Sequence, residues 1–148
     1  MNILRQNTDY ALRAMVNLAR NYDNEAVSAR VLAEQEDVSY QFACKILQQL
    51  HNAKLVESRM GPKGGFALSR PPEEIELLKV IEAIQGPIKV NKCLLGTNSC
   101  PRRPQCAVSG RLVELQEYIE GYLRGITLAE FLKSSSNKTK AKKPKRKT

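Results

Sequence analysis

Two short amphipathic segments separated by a tight turn constrain the fold of this chain more than any other feature. Ser28 precedes the first segment, which predicts a helix ending near Gln35, and Ser39 precedes the second, which predicts a helix ending near Asn52. Serine is a favoured N-cap because its hydroxyl accepts a hydrogen bond from a backbone N–H of the first turn. Residues 36–38 leave room only for a short turn between the two helices. The sequence therefore predicts a helix-turn-helix.

The second of these helices is two-sided and is followed by a predicted hairpin. Apolar residues recur at helical spacing from Phe42 to Leu50, and the opposite side is polar. Alternating segments at 55–59 and 66–69 predict two strands, which the glycine-rich residues 60–65 join by a turn. A hairpin directly after a helix-turn-helix is the order of a winged helix. The sequence therefore predicts a mainly α fold with a small β-hairpin.

Two further helices complete a predicted winged helix-turn-helix domain over residues 1–86. Thr8 is a candidate N-cap for an amphipathic helix over residues 8–20. A second amphipathic segment at 76–85 predicts a helix that ends at Gly86, because glycine is common just beyond a helix C-terminus.

The rest of the chain predicts a loop and two helices. Residues 87–107 contain glycine, prolines and three cysteines, and they predict a cysteine-rich loop. The next helix repeats apolar residues at spacings of 4, 3, 4 and 3, at Val108, Leu112, Leu115, Ile119 and Tyr122. This heptad pattern is typical of a helix packed along a partner helix. Residues 108–132 therefore predict a dimerisation helix and a short C-terminal helix.

Positive charge is concentrated at the C-terminal end. Residues 133–148 contain eight Lys or Arg and no acid, within a chain whose net charge is +9. They predict a disordered Lys-rich tail, which would attract nucleic acid without sequence preference. No apolar run approaches the roughly 18 residues of a transmembrane helix, and the N-terminus lacks the apolar core of a secretion signal. We therefore expect a cytoplasmic protein with no membrane partner.

The predicted winged helix carries side chains suited to double-stranded DNA. The second helix of a helix-turn-helix enters the major groove, where Gln and Lys can read base edges. Hydroxyls and N–H groups at its N-terminus suit a phosphate, and a basic wing tip can enter the minor groove. The predicted DNA-binding residues are Arg30, Ser39, Tyr40, Gln41, Lys45, Gln48, Arg59 and Lys63.

Three closely spaced cysteines predict a site for a soft metal centre. Six residues separate Cys93 from Cys100, and five separate Cys100 from Cys106. Thiolates bind iron–sulfur clusters and soft metals, whereas structural zinc sites usually have paired C-x-x-C spacing. An iron–sulfur cluster also needs a fourth ligand, for which the candidates are Asp9, His51, Ser109 or a residue of a second subunit. Cys44 lies on the polar side of its helix and is predicted to be a lone thiol.

These residues resemble the Rrf-type family of bacterial winged-helix transcriptional regulators, whose members include IscR, NsrR and RirA. The resemblance rests on TDYALRA at residues 8–14, GPKGGF at 61–66, VIEAIQGP at 80–87 and the three-cysteine loop, and it covers residues 1–132. It implies a homodimer held by the long C-terminal helix and a near-palindromic operator. It also implies an iron–sulfur cluster on Cys93, Cys100 and Cys106.

The resemblance leaves the fourth ligand and the cluster type open. IscR-like proteins have a histidine three residues after the last cysteine, where this chain has Ser109. NsrR-like proteins complete a [4Fe–4S] cluster with an aspartate of the partner's first helix, and Asp9 occupies that position. The resemblance therefore favours [4Fe–4S] over [2Fe–2S]. The first cysteine gap is one residue longer than the five usual in those proteins.

The sequence thus predicts a repressor whose affinity for its operator is switched by a cluster that responds to iron, redox state or nitric oxide. Two alternatives stay open: a cluster-free regulator that oxidises the same thiols, and an iron–sulfur redox or carrier protein without specific DNA binding. No nucleophile elbow, P-loop or catalytic His–Cys pair occurs in the sequence, so we do not expect an enzyme.

Overall fold

The computed structural model describes residues 2–96 and 100–137. Its elements are α1 (Gln6–Arg20), α2 (Ala29–Gln35), α3 (Tyr40–Asn52), β1 (Val56–Arg59), β2 (Gly65–Leu68), α4 (Leu77–Gln85), α5 (Ala107–Arg124) and α6 (Leu128–Asn137). Short 3-10 helices lie at Pro72–Glu74, Lys92–Leu94 and Arg103–Gln105. The predicted fold class, mainly helical with one small antiparallel hairpin, is confirmed. None of the described helices is both long and apolar enough to cross a membrane.

The helix-turn-helix forms where the sequence predicts it, and both serine caps are present. The Ser28 hydroxyl accepts from the Val31 backbone N–H at 3.2 Å. The Ser39 hydroxyl accepts from the Phe42 backbone N–H at 3.1 Å. Each serine satisfies an N–H that the first helical turn leaves without an intrahelical partner, and so sets where its helix begins.

The first helix begins earlier than predicted, and Thr8 is not its N-cap. Arg5 occupies the N-cap position, and no side chain caps this end of α1. Thr8 is instead fully buried, and its hydroxyl donates to Gln85 Oε1 at 2.7 Å. The prediction was wrong because a partner 77 positions away in the sequence uses the hydroxyl.

The wing is fixed near its turn by a third extended segment. β1 and β2 pair antiparallel, with Val56 opposite Leu68 and Arg59 opposite Gly65. Val27 forms an isolated bridge to Phe66, through hydrogen bonds of 2.9 Å and 2.8 Å in the two directions. A Cβ at Gly65 would lie 2.5 Å from the Val27 carbonyl, so only glycine permits this approach. The loop before α2 is thereby held against the wing.

Two apolar clusters hold the helices together. The larger cluster joins α1, α3, both strands and α6, and its fully buried side chains include Met15, Leu47, Leu50 and Leu128. The smaller cluster packs Leu77, Leu78, Ile81 and Ile88 against side chains from the C-terminal end of α5 and from α6.

The last helix runs five residues further than predicted, to Asn137, and so includes the first part of the predicted tail. Residues 138–148 of that tail lie outside the described residues. Within the described part, α6 packs against α1 and not along α5.

Candidate DNA interface and cysteine loop

The polar side of α3 is exposed to solvent along its length. Gln41, Lys45 and Gln48 are exposed, while Ala43, Ile46, Leu47 and Leu50 are buried on the other side of the helix. Gln48 Nε2 donates to Asn52 Oδ1 at 3.1 Å, within the same exposed row. The hydrophobic face thus anchors the helix and leaves a row of amide and ammonium groups able to meet base edges.

Arg30 and Tyr40 meet at the N-terminal end of this exposed row. The Arg30 guanidinium carbon lies 5.3 Å from the centre of the Tyr40 ring, within the range of a cation–π contact. A side-chain hydrogen bond with Cys44, one turn along α3, raises the pKa of Tyr40, and the nearby Arg30 opposes that rise. Cys44 is partly exposed, on the polar side of α3.

The two basic wing residues are exposed and ion-paired. Lys63 Nζ lies 2.9 Å from Glu25 Oε1, and the two side chains are 80% and 65% exposed. Arg59 Nη2 lies 3.1 Å from Glu57 Oε1 on the same strand. Both cations are exposed to solvent, but each already has a carboxylate partner.

The three loop cysteines lie at separate points of the segment between α4 and α5. Cys93 is in the 3-10 helix Lys92–Leu94, and Cys106 is the residue immediately before α5. Cys93 and Cys100 are partly exposed, and Cys106 is exposed. Residues 97–99, between the first two cysteines, lie outside the described part of the chain.

The donor chemistry of this loop fits a thiophilic centre. Three thiols beside Lys92, Arg102 and Arg103 suit an anionic iron–sulfur group. Over residues 2–96 and 100–137, however, no three His, Cys, Asp or Glu side chains group closely enough to hold a metal ion.

The candidates for a fourth ligand differ in how their side chains are used. Asp9 is half-exposed in the first turn of α1 and forms a 3.0 Å ion pair with Arg13. Ser109 is buried, and its hydroxyl donates to the carbonyl oxygens of Cys106 at 2.9 Å and Arg103 at 3.2 Å. His51 is exposed in the last turn of α3. Asp9 and His51 therefore have accessible ligand atoms, whereas Ser109 is buried and its hydroxyl is already hydrogen-bonded.

A buried glutamine of α5, which the sequence did not single out, holds the segment that enters the cysteine loop. Gln116 Oε1 accepts from the Val90 N–H at 2.9 Å, and its Nε2 donates to the Ile88 carbonyl oxygen. Its side chain lies between the heptad positions and the protein core. In the sequence, the only sign of this role is a polar residue at a core-facing position of α5. That sign does not show which residues the glutamine contacts.

The heptad stripe of α5 is largely uncovered in the described part of the protomer. Val108, Leu115 and Tyr122 are 61%, 46% and 63% exposed. Leu112 and Ile119 lie at its edge and are half-buried. An exposed apolar stripe on an 18-residue helix is typical of an interaction surface.

Comparisons with known proteins agree with this arrangement. The Rrf2 family model, described as an iron-dependent transcriptional regulator, matches residues 4–134. A putative HTH-type transcriptional regulator of Haemophilus influenzae is 33% identical over 123 residues, which cover 83% of this chain and 81% of that protein.

Two solved structures extend the similarity. IscR of T. potens is 26% identical, with a TM-score of 0.72 over 95% of this chain and 92% of that one. The oxidized form of Staphylococcus aureus CymR is 25% identical, with a TM-score of 0.67 over 86% of this chain and 93% of that one. The family and its relatives are transcriptional regulators and not enzymes, as the sequence predicted. Because the family model matches almost the whole described chain, this chain belongs to the Rrf2 family of transcriptional regulators.

Proposed function

We propose that this protein is a homodimeric repressor whose affinity for operator DNA is switched at the cysteine loop. The observation that carries this proposal is the exposed polar side of α3, anchored by a buried apolar side and flanked by a basic wing. That combination lets one helix enter the major groove while the wing follows the adjacent backbone. Gln41, Lys45 and Gln48 would contact base edges, and Arg30, Ser39 and Tyr40 the phosphates beside them.

Dimerisation follows from the uncovered stripe of α5. Burying Val108, Leu115 and Tyr122 against the same stripe of a second copy would remove three large apolar side chains from water. A two-fold dimer presents one α3 per half-site, so the operator would be near-palindromic. The dimer interface thereby sets the spacing of the two recognition helices.

The switch we propose is an iron–sulfur cluster held by Cys93, Cys100 and Cys106, with Asp9 of the partner subunit as the fourth ligand. The thiol donor set, the accessible Asp9 carboxylate and the iron-dependent family description support it. A bound cluster would supply a centre that iron shortage, oxidants or nitric oxide can remove or modify. We favour [4Fe–4S] over [2Fe–2S], since Ser109 stands where IscR-like proteins have histidine.

The described contacts provide a route from the loop to the dimer helix. The entry segment is bound to α5 through Gln116, and Ile88 is packed in the second core cluster. A change in the loop would therefore act on α5 as well as on α4. Operator affinity would change because α5 sets the separation of the recognition helices.

A thiol-based switch is the second candidate, and the same loop supports it. All three loop thiols are at least partly exposed, as a reaction with an oxidant requires. One of the structural relatives was solved in an oxidized form. This candidate keeps the DNA-binding surface and replaces cluster loss by cysteine oxidation.

Anaerobic purification followed by iron and sulfide counts tests the cluster. About four iron per chain supports [4Fe–4S], and about two supports [2Fe–2S]. Cluster-loaded and cluster-free protein should then differ in their affinity for a DNA duplex selected from a random-sequence pool. Cys106→Ser should abolish this difference in affinity. Cys44→Ser, the matched control, should retain it.

Other results point elsewhere. An iron-free protein whose DNA binding responds to peroxide would favour the thiol switch. A loaded protein with no sequence-selective binding would favour a redox or carrier role. Equal affinity of loaded, cluster-free and oxidised protein for the same duplex would overturn both switches.

A further inference from the structure

Glu25 is placed against the wing by the tertiary structure. It lies in the loop between α1 and α2, two residues before Val27, whose backbone pairs with Phe66 of β2. Lys63 lies two residues before Gly65, where Val27 makes its closest approach. The two side chains thus meet beside the turn of the wing, with Lys63 Nζ 2.9 Å from Glu25 Oε1.

This ion pair opposes the role expected of the lysine. A cation that neutralises a phosphate releases condensed counterions, and that release drives sequence-independent DNA binding. Lys63 is already paired with the Glu25 carboxylate. Contact with DNA therefore replaces that carboxylate by a phosphate. The exchange also leaves Glu25, 65% exposed, close to the negatively charged backbone.

We propose that Glu25 is an autoinhibitory residue that competes with DNA phosphates for Lys63. The inference rests on the proposed function, since it requires the wing to contact duplex DNA. The Glu25 carboxylate pairs with Lys63 in place of a DNA phosphate. It therefore weakens binding to DNA whose bases do not match the recognition helix α3. On an operator, docking of α3 brings phosphates to the wing and supports the exchange.

The test compares Glu25→Gln with Glu114→Gln in the full chain. Glu114 pairs with Arg111 at the same distance, 2.9 Å, and is also 65% exposed, but it lies on α5. Both variants remove one negative charge, so only the location differs. Binding to a fluorescent mixed-sequence duplex of about 30 base pairs is measured by anisotropy over a range of salt concentrations.

Glu25→Gln should bind this duplex about two- to fivefold more tightly than the parent. Its log–log salt slope should steepen by about one, because Lys63 can now displace a counterion. Glu114→Gln should reproduce neither effect. In a Lys63→Gln background the increase in affinity from Glu25→Gln should disappear.

Equal increases in Glu25→Gln and Glu114→Gln, or an increase that persists with Lys63→Gln, would overturn the inference and leave the proposed function intact. Absence of duplex binding by every variant, the parent included, would overturn the proposed function and the inference with it. Circular dichroism of each variant verifies that the exposed substitutions leave the fold unchanged.

Discussion

The Thr8 hydroxyl donates a 2.7 Å hydrogen bond to Gln85 Oε1 and joins the first turn of α1 to the last residue of α4. The same oxygen accepts from the Arg5 backbone N–H at 3.0 Å, and Gln85 Nε2 donates to the Ile3 carbonyl at 2.9 Å. One side chain thus holds the N-terminal arm and α1 at the point where α4 leads into the cysteine loop.

Thr8→Val should destabilise the protein by about 1 kcal/mol, the typical net contribution of one hydrogen bond. Valine preserves the shape of the side chain but removes the donor at a position that is fully buried. Urea unfolding measures the change. In a double-mutant cycle with Gln85→Met, the destabilisation of the double variant should differ from the sum of the two single destabilisations by about 0.5 kcal/mol or more. Strictly additive costs would show that the two residues do not depend on one another.

Lys45→Ala should weaken binding to a selected operator by about ten- to a hundredfold, because a base-edge contact contributes about 1–3 kcal/mol of discrimination. Binding to a mixed-sequence duplex should fall much less. Lys79→Ala, which removes an exposed lysine from α4, is the matched control. Equal reductions for Lys45→Ala and Lys79→Ala would mean that only total charge matters.

Leu115→Glu should convert the dimer that we propose to monomers, since it places a carboxylate in the centre of the uncovered stripe. Sedimentation velocity without DNA measures this directly. Met60→Glu makes the same kind of change at a 95% exposed wing residue and should leave the dimer unchanged. A dimeric Leu115→Glu would place the interface elsewhere, and a monomeric parent would contradict the proposed dimer.

Tyr40 should titrate above its ordinary pKa of 10.0, because its side-chain hydrogen bond to Cys44 favours the neutral phenol. Cys44→Ala should lower that pKa. Arg30→Ala should raise it, because Arg30 favours the phenolate. Ultraviolet absorbance during alkaline titration follows the ionisation, and Tyr40→Phe identifies the signal of this residue. Shifts in the opposite directions would exclude both contacts as the cause.

Removing residues 138–148 should flatten the salt dependence of sequence-independent DNA binding. These residues carry seven of the chain's 24 Lys and Arg. Each DNA phosphate that the tail no longer neutralises should reduce the slope by about 0.9, and affinity for a mixed-sequence duplex should fall accordingly. An unchanged slope would mean that the tail does not touch DNA. The ratio of affinity for a selected operator to affinity for the mixed-sequence duplex should rise.

Local sequence patterns predicted the elements of the DNA-binding unit accurately. Ser28 and Ser39 start α2 and α3 because each hydroxyl meets an N–H three residues later. The two sides of α3 follow from helical periodicity alone. The place of the hairpin turn along the chain follows from its glycines. All of these interactions lie within a few residues along the chain.

Interactions between distant segments could not be predicted from the sequence. Thr8 has the chemistry of a cap, but folding brings Gln85 within reach of its hydroxyl. The Glu25–Lys63 pair depends on Val27 joining the wing, and the hydrogen bonds of Gln116 to the loop entry depend on how α5 packs. No spacing rule links such positions.

The cysteine loop illustrates the same division. Residue type and spacing by themselves determined that three thiols share one segment and that their chemistry suits iron and sulfur. Only the tertiary structure decided that the Ser109 hydroxyl is used by two backbone carbonyls while Asp9 keeps an accessible carboxylate. The physical reason is that side-chain chemistry is a property of each residue, whereas proximity and exposure depend on how the whole chain packs.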